Sequence, residues 1–274
     1  MSDTADDVLY DHRPDGVAII TINRPEQMNA ISNGVRELLI RYISTAAADD
    51  DVRCVVLTGA GRAFCAGVDV KRLADSAATD GATKRREGLA GIVRGLRESQ
   101  MKTIHALHTM PKPTLAAVNG YAIGAGLAYA LACDLRIAST DARFGTGFTR
   151  LAVSGDNGTS WFLQRLVGPA KALELFLTGE VVDGARAVEL GMANRLEPAD
   201  GFMDRVLAFA STLAAGPPLA HARMKESFHL GEHSDLKTLL DHEALAINLS
   251  LITEDHKAAI TALRDGTTAT FVGR

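Results

Sequence analysis

Aromatic residues are scarce in this chain: Phe, Tyr and Trp make up 5% of 274 residues, and only one of them is Trp. The stacking platforms that single-stranded nucleic acid needs are therefore missing. Neither sign of charge dominates, since 29 Lys and Arg stand against 33 Asp and Glu, a net charge of −4. That balance removes any global electrostatic reason to expect nucleic acid or an anionic membrane as partner. The one basic cluster, KRR at 84–86 with Arg94 and Arg97 beyond it, is interleaved with glutamates and apolar residues and reads as a solvated helical face. Long apolar runs are absent; the longest, Ala122 to Cys133, is broken by glycines and falls short of a membrane span. Cysteine is limited to Cys54, Cys65 and Cys133, an odd and widely spaced set. That count excludes a disulfide frame and a zinc ligand set, and reads as buried free thiols in a reducing compartment. The opening MSDTADDVLY has neither a charged-then-apolar signal pattern nor an Arg/Ser-rich transit pattern, so the expectation is cytoplasmic.

What remains is an ordinary globular composition, 47% hydrophobic and 23% charged, long for one core and short for two. VAIITI at 17–22 is a β-branched strand, and Asn33 to Ala48 carries helical spacing. RCVVLTG then reads as a continuous apolar strand, buried on both faces as in a parallel sheet. After MPKPT a second buried-strand pattern, LAAVNGYAIG, leads into the helix-like GLAYALACDL, and RIAS and ARFG follow as short strands. From Ser160 the chain turns mostly helical, with a break at GPP, 216–218, and another near Gly231. A sheet-containing α/β core followed by a helical appendage is the organisation this implies. No internal repeat is visible.

Two glycine loops sit at strand ends, GAGRAF at 59–64 and GAGLAY at 124–129. Each begins like a dinucleotide-binding fingerprint, but the third glycine position holds Phe64 in one and Tyr129 in the other. Neither ends in the Gly-Lys-Ser/Thr of a phosphate loop, and AVSGD lacks the first glycine of a nucleophile elbow. Such loops serve either as tight turns in a packed core or as exposed backbone N–H groups for an anion, the second favoured where a helix starts near Ala125. Asp156, set in VSGDNGTSW at 153–161, reads as a turn residue, a cap for the helix beginning near Thr159, or a working acid.

Taken together, these blocks resemble the crotonase, or enoyl-CoA hydratase/isomerase, superfamily over nearly the whole chain. The resemblance is carried by INRPEQMNAIS, VVLTGAGRAFCAGVDV, MPKPTLAAVNGYAIGAGLAYALACDLRIAS, ARFG, WFLQRLVG, LTGEVVDGARAVELGMANRL and TEDHKAAITAL, in that order. It implies an α/β fold, a crotonase-type spiral of ββα repeats over residues 1–200 followed by a C-terminal helical trimerisation region over 201–274. It also implies a homotrimer or dimer of trimers, acting on an acyl-CoA thioester, with coenzyme A as part of the substrate and no metal or separate cofactor. The oxyanion hole would be the N–H groups of Val68 and Ala125. Gln27, Met28, Ala30, Ala66, Gly67, Asp69, Val70 and Lys71 would lie along the coenzyme A and pantetheine arm. Lys71 and Arg62 are candidate phosphate partners, or plain surface cations.

The same resemblance locates what is absent. Hydration of a 2-enoyl-CoA in this family uses two glutamates, and the matching positions here are Ala128 and Phe148. Asp156 falls at a third position, where isomerase-like members carry a proton-shuttling base and dehalogenases of 4-chlorobenzoyl-CoA a nucleophile. The expectation is an enzyme, lyase or isomerase with the isomerase favoured, in fatty acid metabolism. The alternatives are a catalytically inactive CoA-thioester binder, or a hydrolase, decarboxylase or dehalogenase of the same fold. Glu87, His105 and His108 read as surface residues able to reach such a site.

Overall fold

The computed structural model describes residues 5–69 and 81–274, the side chains of residues 81–87 excepted. Strands Val8–His12 (β1) and Val17–Ile22 (β2) form an antiparallel hairpin. Helix Asn33–Ala48 (α1) starts where the Ser32 side chain accepts a hydrogen bond from Val35 N. Its buried stripe, Val35, Leu39, Ile43 and Ala46, follows the helical period that the sequence shows. At its far end Lys112 Nζ donates to the carbonyls of Ala46 and Asp49, satisfying acceptors that the last turn leaves open.

Three turns of one pattern follow. Cys54–Gly59 (β3) and Ala63–Cys65 (β4) lead to helix Gly81–Gln100 (α2). After a short helix, Ala106–Thr109 (α3), Thr114–Val118 (β5) and Tyr121–Ile123 (β6) lead to Ala125–Ala132 (α4). Leu135–Ser139 (β7) and Arg143–Gly145 (β8) lead to Thr159–Val167 (α5) and Pro169–Thr178 (α6). Val181–Asp183 (β9), Gly184–Glu189 (α7) and Arg195–Glu197 (β10) complete the sheets. The first strand of each turn enters a six-stranded sheet ordered β1-β2-β3-β5-β7-β10, parallel except for the β1–β2 hairpin. The second enters a four-stranded sheet ordered β4-β6-β8-β9. LAAVNGYAIG is thus two strands in two sheets, turned at Gly120, where a Cβ would stand 2.1 Å from Arg62 O. The alternation is a left-unseen internal repeat, a spiral of ββα turns.

Helix Phe202–Ala214 (α8) lays Phe202, Val206, Ala210 and Ala214 on the outer face of the large sheet, against Val17, Cys54, Val56, Leu115, Ala117 and Ile137. Burying a side chain such as Phe202 or Val206 is worth about 1.5–3 kcal/mol. The other face of that sheet, the small sheet, α1 and α4 enclose the larger core. All three cysteine thiols are buried and pushed up to about 12 by desolvation.

The break at Gly216–Pro218 introduces Pro218–Gly231 (α9), Leu236–Leu251 (α10) and Glu254–Asp265 (α11). A further interruption at Ile252–Thr253, beyond the one near Gly231, arises because Thr253 caps α11 by accepting from His256 N. Lys225 of α9 donates to Asp134 Oδ2 at 2.6 Å, and the same oxygen accepts from Thr114 N at 2.7 Å, which pins α9 to the spiral. Phe228, Leu236, Ile252 and Leu263 stay 70–80% exposed on these helices.

Candidate active site

The loop after β2 is held by a buried asparagine. Met28 and Asn29 both adopt positive φ, 52° and 57°, a region that side chains other than Asn and Gly enter at a cost. Asn29 is fully buried, and its amide repays that cost. Nδ2 donates to Ala60 O at 2.8 Å and Ala63 O at 2.6 Å, and Oδ1 accepts from Arg24 N at 2.8 Å. Arg24, itself buried, donates to Ala30 O at 2.8 Å and pairs with Asp7 and Asp69. The segment Gln27–Ala30 is thereby locked against the segment that follows β4. Ala66 N donates to Met28 O at 2.9 Å, Ile31 N to Gly67 O at 2.8 Å and Asp69 N to Ile31 O at 3.3 Å.

That zipper has a directional consequence. In the Ile31–Val68 bridge, Gly67 O and Asp69 N point toward Ile31, so the intervening Val68 N–H points the other way. The segment itself packs against the start of α4. A Cβ on Gly67, whose φ is +98°, would lie 2.9 Å from Ile123 O and 3.7 Å from Ala125 N. A Cβ on Gly126 would lie 2.0 Å from Cys65 O. Glycine at both positions lets two backbones touch. Cys65 of β4 pairs with Ala122 of β6 across a register shift in the ladder, and Val68 and Ala125 each lie three residues further on. Neither amide N–H has an acceptor among the described residues. Ala125 is buried and Val68 half-buried, so both open amides are available to an acceptor from elsewhere.

The loop that carries Asp156 approaches the start of α4 through an aromatic ring. Phe148, buried, has its ring 3.9 Å from a Cβ built on Gly124 and 3.2 Å from one built on Gly155, and stacks on Phe176 at 5.7 Å. The loop bearing Asp156 and the first turn of α4 are one ring apart. Gly155, Asn157 and Gly158 all have positive φ, so the loop is tightly wound. The Asp156 carboxylate does not cap α5: the cap position is Gly158, without a side-chain hydrogen bond. Only the Asp156 carbonyl serves the helix, accepting from Thr159 N and Oγ1 at 3.1 and 2.9 Å. The half-buried carboxyl is pushed up by desolvation, against the lowering effects of the Arg36 cation and a hydrogen bond with Asn157. Beside it, burial pushes the Tyr129 phenol up to about 12, with the charge of Asp156 adding to the shift and a bond to Thr103 opposing it.

Ala128 is fully buried on α4, and with Phe148 it leaves no proton-transferring group at either position. Arg62 is exposed and opens on a cavity of about 990 Å³ whose lining includes none of the other predicted residues. Val70, Lys71 and the side chain of Glu87 lie outside the described residues. His105 and His108 sit on the far side of the Asp156 loop, in a cavity shared with Asn157 and Gly158. Sequence reasoning missed Asn29, Arg24, Arg36 and Tyr129. An Asn between two short elements is a signal for positive φ, whereas Arg36 looks like any charge on an amphipathic helix.

Alternating strands in two sheets, with two open amides where consecutive turns meet, define a crotonase-superfamily protein. The chain belongs to the enoyl-CoA hydratase/isomerase family, whose sequence model matches residues 12–271. It is 32% identical to the short-chain-enoyl-CoA hydratase of Clostridium acetobutylicum, over 90% of each chain. It is 30% identical to the 1,2-epoxyphenylacetyl-CoA isomerase of Escherichia coli, over 97% of this chain and 98% of that one. The crystal structure of an enoyl-CoA hydratase from Bacillus anthracis superimposes with a TM-score of 0.87 at 30% identity, covering 98% of this chain and all of the other.

Proposed function

We propose that this enzyme moves the double bond of an enoyl-CoA thioester, with Asp156 as its single base. Asp156 removes a proton from C2 of a 3-enoyl thioester. The electron pair delocalises onto the thioester oxygen, which accepts hydrogen bonds from Val68 N–H and Ala125 N–H. Asp156 then returns the proton at C4, giving the 2-enoyl product with no water consumed. Each oxyanion donor of this kind is typically worth about 10²–10³ in rate. Coenzyme A enters as part of the substrate, its pantetheine arm along Gln27, Met28, Ala30, Ala66, Gly67 and Asp69, with Val70 and Lys71 continuing that edge.

The observation that carries this reading is the carboxylate count. Asp156 is a half-buried acid whose carboxyl is raised by burial and whose side chain has no capping duty, while Ala128 and Phe148 stand where hydration needs two acids. The apolar side chains exposed along α9, α10 and α11 support assembly into a homotrimer or a dimer of trimers.

The test compares wild type with Asp156→Asn on 3-enoyl-CoA and 2-enoyl-CoA, by absorbance and by mass. Double-bond migration without mass gain, reduced by about 10²–10⁴ in the variant, is the expected result. Efficient hydration that survives the substitution would overturn the mechanism. Binding of CoA thioesters without turnover of any would favour the inactive binder, for which the two missing carboxylates are the motive.

A further inference from the structure

Four imidazoles meet where α9 packs on the spiral. His108 of α3 and His229 of α9 lie against each other with ring centroids 4.1 Å apart and planes tilted by 37°. His105 precedes α3, and His233 follows α9. All four line one cavity of about 390 Å³, together with Trp161 and, on its other wall, Asn157 and Gly158 of the Asp156 loop. Trp161, the sole tryptophan, lies edge-on to His108 at 5.3 Å and tilted against His233 at 5.7 Å, and Arg165 covers its ring at 3.8 Å. Nothing in the proposed reaction uses this cluster.

We propose that the seam is an acid-sensitive latch: proton uptake by the His108–His229 pair parts α9 from Trp161 and the Asp156 loop. Two cations cannot share a 4.1 Å contact without strong repulsion. The surrounding charges reinforce this. His105 from the segment before α3, Lys225 and His233 from α9 and its end, and Arg165 from α5 are all basic. Asp134, which precedes β7, is committed to Lys225 at 2.6 Å. Glu232 lies 3.5 Å from His108 Nε2 with its own carboxyl pushed up by burial, and the charge of Asp134 acts on His229 in the opposite sense to Lys225.

The sign follows from these neighbours. Desolvation, then His229, Lys225, His105 and His233, push His108 down to about 4, and desolvation with Lys225 holds His229 below its ordinary value. Both rings are neutral in the closed seam at neutral pH. Once exposed they titrate near 6.5. Closure is fully favoured above that pH and is lost progressively as pH falls from there toward 4. At pH 5.5, proton uptake by one freed imidazole favours the open seam by about tenfold.

The experiment uses the intact chain in its native assembly at pH 7.5 and 5.5. Hydrogen exchange of the α9 amides, corrected for the chemical rate, is measured beside Trp161 emission. Expected at pH 5.5 are about a tenfold loss of α9 protection from His108, a further loss in the same direction from His229, and a red shift, all abolished in His108→Gln/His229→Gln. His229→Gln alone, at a half-exposed site, serves should the double variant not fold, and is expected to reduce the loss. Unchanged exchange, an emission change without one, or an equal loss in the variants would overturn the latch.

Discussion

Replacing Asn29 by Ala is the sharpest probe of how the fold builds the site. The amide makes three hydrogen bonds to main-chain groups, and the residue is fully buried. Its removal leaves Arg24 N–H and Ala60 O without this partner and takes from Ala63 O its 2.6 Å bond, while a 3.4 Å contact from Asn119 Nδ2 to Ala63 O remains. Each stranded buried group costs about 1–3 kcal/mol. Alanine at a φ of 57° adds about 1 kcal/mol of backbone strain. The expected loss is about 3–7 kcal/mol, a large part of the 5–15 kcal/mol that holds a typical domain. Asn29→Gly relieves the φ strain and nothing else, so it should recover about 1 kcal/mol. Urea unfolding at a fixed protomer concentration measures both, since assembly adds a mass-action term. Rate and stability should fall together, because the same asparagine fixes the segment that aims Val68 N–H. A loss below about 1 kcal/mol, or Gly and Ala variants of equal stability, would refute the reasoning.

Two further substitutions separate the parts of the site. Arg36→Leu removes the cation that draws the Asp156 carboxyl down; the base must be ionised, so the acid limb of kcat/KM should move to higher pH, and a limb that stays put would remove Arg36 from the electrostatics. Ala125→Pro deletes one N–H at the first position of α4, where proline is tolerated; kcat should drop by about 10²–10³ with little loss of Tm. An unchanged kcat there would exclude that amide from the oxyanion hole.

The loops were legible where chemistry is written in short words: the glycines around Ala125, the segment FCAGVD and the sequence NRPEQMNAIS mark three backbones that touch. The repeat was not, because strands β4, β6, β8 and β9 are three residues long and each faces different neighbours, so no side-chain pattern recurs. Asp156 stayed ambiguous in sequence because an acid three residues before a helix suits a cap as well as a base. The packing resolved the cap, since Gly158 takes that position through its positive φ. Arg36 was hidden for the opposite reason. A charge on an amphipathic helix predicts solvent, and only the folded chain shows which charges look inward.

β4 and β6 run side by side in parallel, and the chain leaving each carries one of the two open amides, Val68 and Ala125. Adjacent strands stand about 4.8 Å apart whatever side chains they carry. The place of the two amides is therefore set by the backbone and not by side chains. The residues around them, Ala128 and Phe148 included, can change without moving that backbone. On the reading proposed above, reaction type becomes a matter of where a carboxylate is placed, while the amides come with the weave of the chain.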